Sequence, residues 1–153
     1  MSDNKLSDII KLDITLLSDR YYVRRMTEDD ISDIHALCSK NALYYRYCPP
    51  FVTEESIADD MKALPPNKEY SDKYYIGYYD AEKLIAVMDL ILRFPDNATA
   101  LIGFFMTEVS VQNSGIGSRI IDDLCSYLRK LGFSTVRLGW VKGNPQAEHF
   151  WKK

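Results

Sequence analysis

The sequence predicts an α/β (α+β) protein: a mixed sheet with helices on its faces. Three observations predict it. Apolar residues switch between helical spacing and short strand-like runs in the order β, α, α, three β, α, β, α. Proline pairs and glycines punctuate those runs. The length of 153 residues, 46% hydrophobic and 27% charged, suits one domain with a sizeable core.

Residues 1–19 read as a lead-in, with a short amphipathic stretch at Leu6, Ile9, Ile10 and Ile14, and residues 20–153 as the domain proper. Tyr21-Tyr22-Val23-Arg24 is aromatic and β-branched, a strand pattern. Thr27 then offers an N-cap, and Asp29 and Asp30 stand where a helix dipole favours negative charge. Ile31, Ile34, Leu37 and Cys38 follow at helical spacing, and Pro49-Pro50 breaks the chain. Thr53-Glu54-Glu55-Ser56 opens a second helix with Ile57, Met61 and Leu64 on one face, stopped by Pro65-Pro66. Tyr74–Tyr79 and Leu84–Leu92 form two antiparallel strands about a turn at Asp80-Ala81-Glu82. Ala100–Thr107 is apolar nearly throughout, so burial on both faces is expected. Gly115–Leu131 repeats Ile116, Ile120, Leu124, Leu128 and Leu131 along a long helix, ended by Gly132. Thr135–Val141 is a further strand. Asn144 and Pro145 then cap and start a last helix.

Composition removes several classes of function. The formal net charge of −3 lacks the basic surplus that phosphate neutralisation needs, so nucleic acid is not an expected partner. Cys38, Cys48 and Cys125 are odd in number and form no CxxC pair, which argues against a disulfide framework or zinc site, and no metal is expected. No apolar run reaches about 18 residues, so no membrane span is expected, and residues 1–11 lack a signal-like apolar stretch. Cytoplasm is the expected location.

The informative segment is Gln112-Asn113-Ser114-Gly115-Ile116-Gly117-Ser118, between a core strand and the long helix. A helix N-terminus presents unpaired N–H groups and the positive end of a dipole. Glycines let the backbone approach a pyrophosphate, and Ser114 and Ser118 can add hydroxyl donors. A glycine pair here is also compatible with a tight turn that binds nothing. A dinucleotide fingerprint fits poorly. Its third glycine would fall at Ile120, and no acidic residue follows Trp140-Val141 to hold a ribose.

A second segment, Asn144-Pro145-Gln146-Ala147-Glu148-His149-Phe150-Trp151, follows the next strand. Together the two segments resemble the GNAT acetyltransferase superfamily. Its acyl-CoA loop, Q/R-x-x-G-x-G/A, is matched by Gln112, Gly115 and Gly117; its N-x-x-A-x-x-aromatic-Tyr signature is matched by Asn144, Ala147 and Phe150. The likeness spans about residues 21–153 and is strongest from Ala100 onward.

The resemblance implies the acyl-CoA N-acyltransferase fold: a mostly antiparallel mixed sheet, splayed between two strands and flanked by helices. It implies acetyl-CoA as cosubstrate, its pyrophosphate on the amides of Asn113, Ser114, Gly115, Ile116, Gly117 and Ser118 beside Gln112. Asn144, with Ala147, Phe150 and Trp151 of the second motif, would steady the pantetheine arm. A main-chain N–H near Met106 or Thr107 would stabilise the oxyanion. Asp89 and Glu108 are candidate bases for the attacking amine, each also readable as a structural carboxylate. His149 is better read as a surface or half-buried imidazole than as a base. Cys125 reads as packing, because direct transfer needs no nucleophilic side chain.

Two features depart from the family pattern. Trp151 stands where a tyrosine usually serves as acid, and an indole N–H is not a practical proton source. Relatives usually continue into one or two more strands, which are missing from this sequence; either the chain is truncated, or the lead-in or a second subunit, as in a homodimer, covers the edge. Tyr44, Tyr45, Arg46 and Tyr47 sit where relatives build the acceptor wall. Tyr74, Tyr75, Tyr78 and Tyr79 alternate on a strand, so some should face solvent or a pocket. The expected acceptor is a small amine or a peptide. The alternative is a non-catalytic acyl-CoA-binding regulatory module, which Trp151 favours.

Overall fold

In the computed structural model, residues 12–47, 49–112 and 114–138 are described. Five strands form one sheet in sequence order: β1 Tyr22–Arg25, β2 Lys73–Asp80, β3 Lys83–Leu92, β4 Thr99–Thr107 and β5 Thr135–Leu138. The first four are antiparallel neighbours and β5 lies parallel to β4. The sheet is therefore mixed and mostly antiparallel, as expected. Four α-helices accompany it among the described residues: α1 Ile31–Ser39, α2 Ala42–Tyr47, α3 Glu54–Lys62 and α4 Ile116–Lys130.

Local chemistry explains the boundaries. Thr27 caps a 3₁₀ turn, Glu28–Asp30, that runs into α1. Its hydroxyl accepts from the Asp29 N–H, while the Asp30 carboxylate accepts from the Thr27 N–H at 2.8 Å. Asp30 is also held by Arg24 of β1, at 2.8 and 3.0 Å, which ties the helix start to the sheet. Thr53 and Ser56 form a reciprocal cap on α3. That helix stops at Lys62, short of Leu64, because the residue before Pro65 is pushed toward extended backbone. The β2–β3 turn is two residues long, with Ala81 at φ 55°.

The core has two layers, one on each face of the sheet. On one face, Ile120, Leu124 and Leu128 of α4 pack on Tyr74, Ile76, Tyr78, Ala86, Met88, Leu90 and Ile102. Leu12 and Leu17 join this layer, and the Asp13 N–H donates to the Tyr127 hydroxyl of α4 at 3.3 Å. On the other face, Ile34, Leu37 and Cys38 of α1 and Ile57 of α3 cover Tyr75, Tyr79, Val87 and Met106. Burying a large apolar side chain contributes about 1.5–3 kcal/mol.

Two expectations need correction. The tyrosines of β2 do not reach solvent: Tyr74, Tyr75, Tyr78 and Tyr79 are all buried, because helices cover both faces of the strand. Nor is β4 buried throughout. Thr99, Ala100 and Ile102 are enclosed, whereas Gly103 is exposed and Phe104, Phe105 and Thr107 are half-exposed. Among the described residues β5 pairs with Thr99–Ile102, and the residues that follow Leu138 lie outside them. The last helix, expected from Asn144, and the end of the Thr135–Val141 strand lie outside the described residues.

Candidate functional site

The site is assembled where β4 ends and α4 begins. Parity along β4 decides which amides are available there. The Glu108 N–H donates to the Ile85 carbonyl at 2.8 Å. Hydrogen-bonded pairs alternate along an antiparallel ladder, so Val87 and Met106 form the next such pair. The Met106 N–H is thereby turned into the sheet. Thr107, opposite Ala86, points its N–H and C=O away from β3. The Thr107 carbonyl accepts from the side-chain amides of Gln112 at 3.0 Å and Asn41 at 3.3 Å.

Past Thr107 the chain makes a 3₁₀ turn, Val109–Val111, capped by Glu108. One Glu108 oxygen accepts from the N–H and hydroxyl of Ser110, and the other from Lys40 Nζ at 3.1 Å. The Ser110 hydroxyl and amide, then Lys40, hold the Glu108 pKa at about 2. A carboxylate so engaged is a weak proton acceptor near neutrality. The structure gives Glu108 the geometry of a cap.

Gly115 begins α4 with φ 88° and ψ −5°, a left-handed conformation that only glycine adopts without strain. Space around it is open, so this backbone conformation, not crowding, requires the glycine. Its carbonyl accepts the first helical bond from the Arg119 N–H at 3.0 Å. The amides of Ile116, Gly117 and Ser118 are the first-turn donors that lack an intrahelical partner; Gly115 has no side chain to cap them, and no described residue does so. α1 and α3, by contrast, follow capping boxes. The Ser114 hydroxyl donates to the Val111 carbonyl, so its proton shapes the loop instead of facing a ligand. Asn113 lies outside the described residues.

Asp89 occupies β3 opposite Tyr75 and Phe104. Buried Lys73 reaches both of its oxygens, at 2.9 and 3.0 Å. Burial raises the Asp89 pKa, with the Lys73 hydrogen bond opposing. On the same face, the aromatic rings of Tyr44 and Phe104 lie 6.1 Å apart, and those of Tyr45 and Phe51 5.3 Å apart. Burial lifts the Cys38 thiol to about 12 and raises Cys125 as well; neither suits nucleophilic chemistry. Asn144, Ala147, Phe150 and Trp151 lie outside the described residues, as does His149. Asn41 was not legible as a site-neighbouring residue in the sequence. Its signal, an asparagine after a helix C-terminus, is common in proteins that bind nothing there.

A family model described as the acetyltransferase (GNAT) family matches residues 40–153, most of the chain. The chain belongs to the GNAT family. No curated protein matches it. Solved structures share its fold at low identity. An acetyltransferase from Thermus thermophilus is 16% identical with a TM-score of 0.72, covering 86% of this chain and 83% of that one. The PaiA N-acetyltransferase of Thermoplasma acidophilum, in complex with coenzyme A, is 13% identical with a TM-score of 0.63, covering 86% of each chain. An aminoglycoside acetyltransferase from an uncultured soil sample, in complex with sisomicin, is 17% identical with a TM-score of 0.56, covering 88% and 86%. Within this GNAT chain, the described residues hold no His, Cys, Asp and Glu cluster able to bind a metal ion. None of their helices is long and apolar enough to cross a membrane.

Proposed function

We propose that this GNAT protein transfers an acetyl group from acetyl-CoA to a primary amine by direct attack. The observation that carries the reading is the uncapped start of α4, tied through Gln112 to the carbonyl of Thr107. Pyrophosphate oxygens would accept from the amides of Ile116, Gly117 and Ser118. The pantetheine arm would then run along the end of β4, and the resemblance assigns Asn144, Ala147, Phe150 and Trp151 to steadying it.

In the reaction, the amine lone pair attacks the thioester carbonyl carbon. The carbonyl electrons move onto oxygen and return as the C–S bond breaks, releasing the CoA thiolate. The Thr107 N–H, turned away from β3, is the donor we assign to the developing oxyanion; that of Met106 is committed to Val87. Of the two carboxylates, Asp89 is the better base because burial raises its pKa. It stands opposite Phe104, short of Thr107, so it would take the ammonium proton through water. The aromatic rings of Tyr44, Tyr45, Phe51 and Phe104 suit the acceptor side, and the acceptor is a small amine or a peptide. The free thiols of Cys38 and Cys125 suit a reducing compartment such as the cytoplasm.

The test has two stages. Thermal shift with acetyl-CoA, NAD and ATP separates the ligand classes, since a ligand at about 100 times its Kd stabilises by about 2.7 kcal/mol. Release of CoA thiol with a panel of amines then separates an enzyme from an acyl-CoA-binding regulatory module, the reading that Trp151 favours. Stabilisation by NAD and not by acetyl-CoA would refute the proposal.

A further inference from the structure

We infer that Asn41 is a positioning residue for the coenzyme site, locking the Thr107 carbonyl and the Gln112 side chain in one orientation. This inference rests on the acetyl-CoA reading above. Asn41 follows α1, is 4% exposed, and anchors its own N–H on the Cys38 carbonyl at 2.9 Å. Its side-chain nitrogen donates to the carbonyls of Leu37 at 3.2 Å and Thr107 at 3.3 Å. Its side-chain oxygen accepts from Gln112, whose same nitrogen also donates to Thr107. Both amide nitrogens thus have both hydrogens committed, and both lone pairs of the Thr107 oxygen are used. Flipping either amide would set like groups against each other, so the network has one arrangement.

The consequence reaches two parts of the site. The Thr107 carbonyl belongs to the peptide whose N–H, that of Glu108, is fixed on Ile85. That peptide is therefore held from both ends, which orients the end of β4 beside the Thr107 N–H. Gln112 opens the loop that leads to Gly115, and Asn41 keeps its side chain from swinging out. The neighbouring Lys40 grips Glu108 in the same connection. The end of α1, on the acceptor face, thus clamps the strand-to-helix segment that would bind the diphosphate.

Coenzyme A affinity, measured by calorimetry well below each protein's Tm, tests this with Asn41→Leu, Gln112→Leu, the double variant and Asn41→Asp. Each leucine variant should weaken coenzyme A binding by about 5–30-fold, the range expected when buried hydrogen bonds are lost. The double variant should fall within about twofold of the weaker single, because the two side chains act as one unit. Asn41→Asp keeps the acceptor for Gln112 and the shape but loses both donors, so it should weaken binding in the same direction; it decides the matter alone if Asn41→Leu fails to fold. A merely structural asparagine would lower Tm and leave the folded protein's affinity unchanged. Affinities within about twofold of wild type, or losses that multiply in the double variant, would overturn the inference. Wild-type protein that binds no coenzyme A would instead overturn the proposed function, and this inference with it.

Discussion

Replacing Glu108 with glutamine should remove most of one pH dependence from the protein's stability. The folded carboxylate titrates at about 2, against an ordinary 4.5, because it accepts from Ser110 and Lys40. At about 1.36 kcal/mol per pH unit, that gap sets a ceiling of about 3.4 kcal/mol. The real contribution is smaller. Solvent barely touches the carboxylate, but it lies near the surface and its partner Lys40 is 57% exposed, so screening reduces the figure to about 1–2 kcal/mol. A depressed carboxylate stabilises fully above its unfolded pKa and loses that contribution as pH falls toward the folded value. Urea unfolding of wild type and Glu108→Gln, followed from neutral pH to about pH 2, should therefore give curves that converge below about pH 4.5. An unchanging difference across that range would refute the cap. The same variant separates cap from base: loss of a general base costs about 10²–10⁴-fold in rate, whereas a cap should cost less than tenfold once the protein is folded.

Other perturbations reach the rest of the molecule. Gly115→Ala meets open space but must hold φ 88°, so it should cost about 1–2 kcal/mol in unfolding free energy and weaken coenzyme A binding; an unaffected affinity would mean the loop does not hold the ligand. Lys73→Met leaves the half-buried Asp89 carboxylate without its cation, which should cost about 2–4 kcal/mol in urea unfolding at neutral pH. Because burial raises the Asp89 pKa, its protonated form suits the fold, so that deficit should shrink on acidification toward the ordinary 3.8. The hydroxyl of fully buried Tyr78 has no hydrogen-bond partner among the described residues, so Tyr78→Phe should be neutral or stabilise by up to about 1–2 kcal/mol; a clear loss of Tm would show that the hydroxyl is bonded, for example to buried water.

What could be read from the sequence follows the reach of the interactions involved. Thr27, Thr53, Gly115 and Gly132 each act within a few residues, and each marks its helix boundary where local rules put it. Gly132 closes α4 with φ 104°, its N–H bonding Arg129 and that of Phe133 bonding Leu128. The helix at Ala42–Tyr47 was not legible, because its stability comes from ring contacts of Tyr44 with Phe104 and Tyr45 with Phe51, not from a capping signal. The burial of four tyrosines on β2 was missed for a related reason: alternation cannot reveal that helices cover both faces. The helix start at Gly115 and its lack of a side-chain cap were readable, since amides and backbone dihedrals belong to the local chain. The role of Asn41 was not, because it depends on contacts across 66 to 71 residues, as does the grip of Lys40 on Glu108.

This division has a physical consequence for ligand binding. The 3₁₀ turn that leads into α1 and the start of α3 are capped by side chains, whereas α4 starts at a glycine and leaves three donors that no described residue caps. Water can accept from those donors, but it gives them no fixed geometry. The side chains of Asn41, Gln112, Lys40 and Ser110 spend hydrogen bonds on the segment just before the glycine. They fix the frame and leave the donors open. An anion docking there meets amides already aimed, so little of its binding energy goes to reorganising the loop. If the frame and not the amides alone confers affinity, loosening it at Asn41 should weaken coenzyme A binding even though the Asn41 side chain is buried and bonded to the frame.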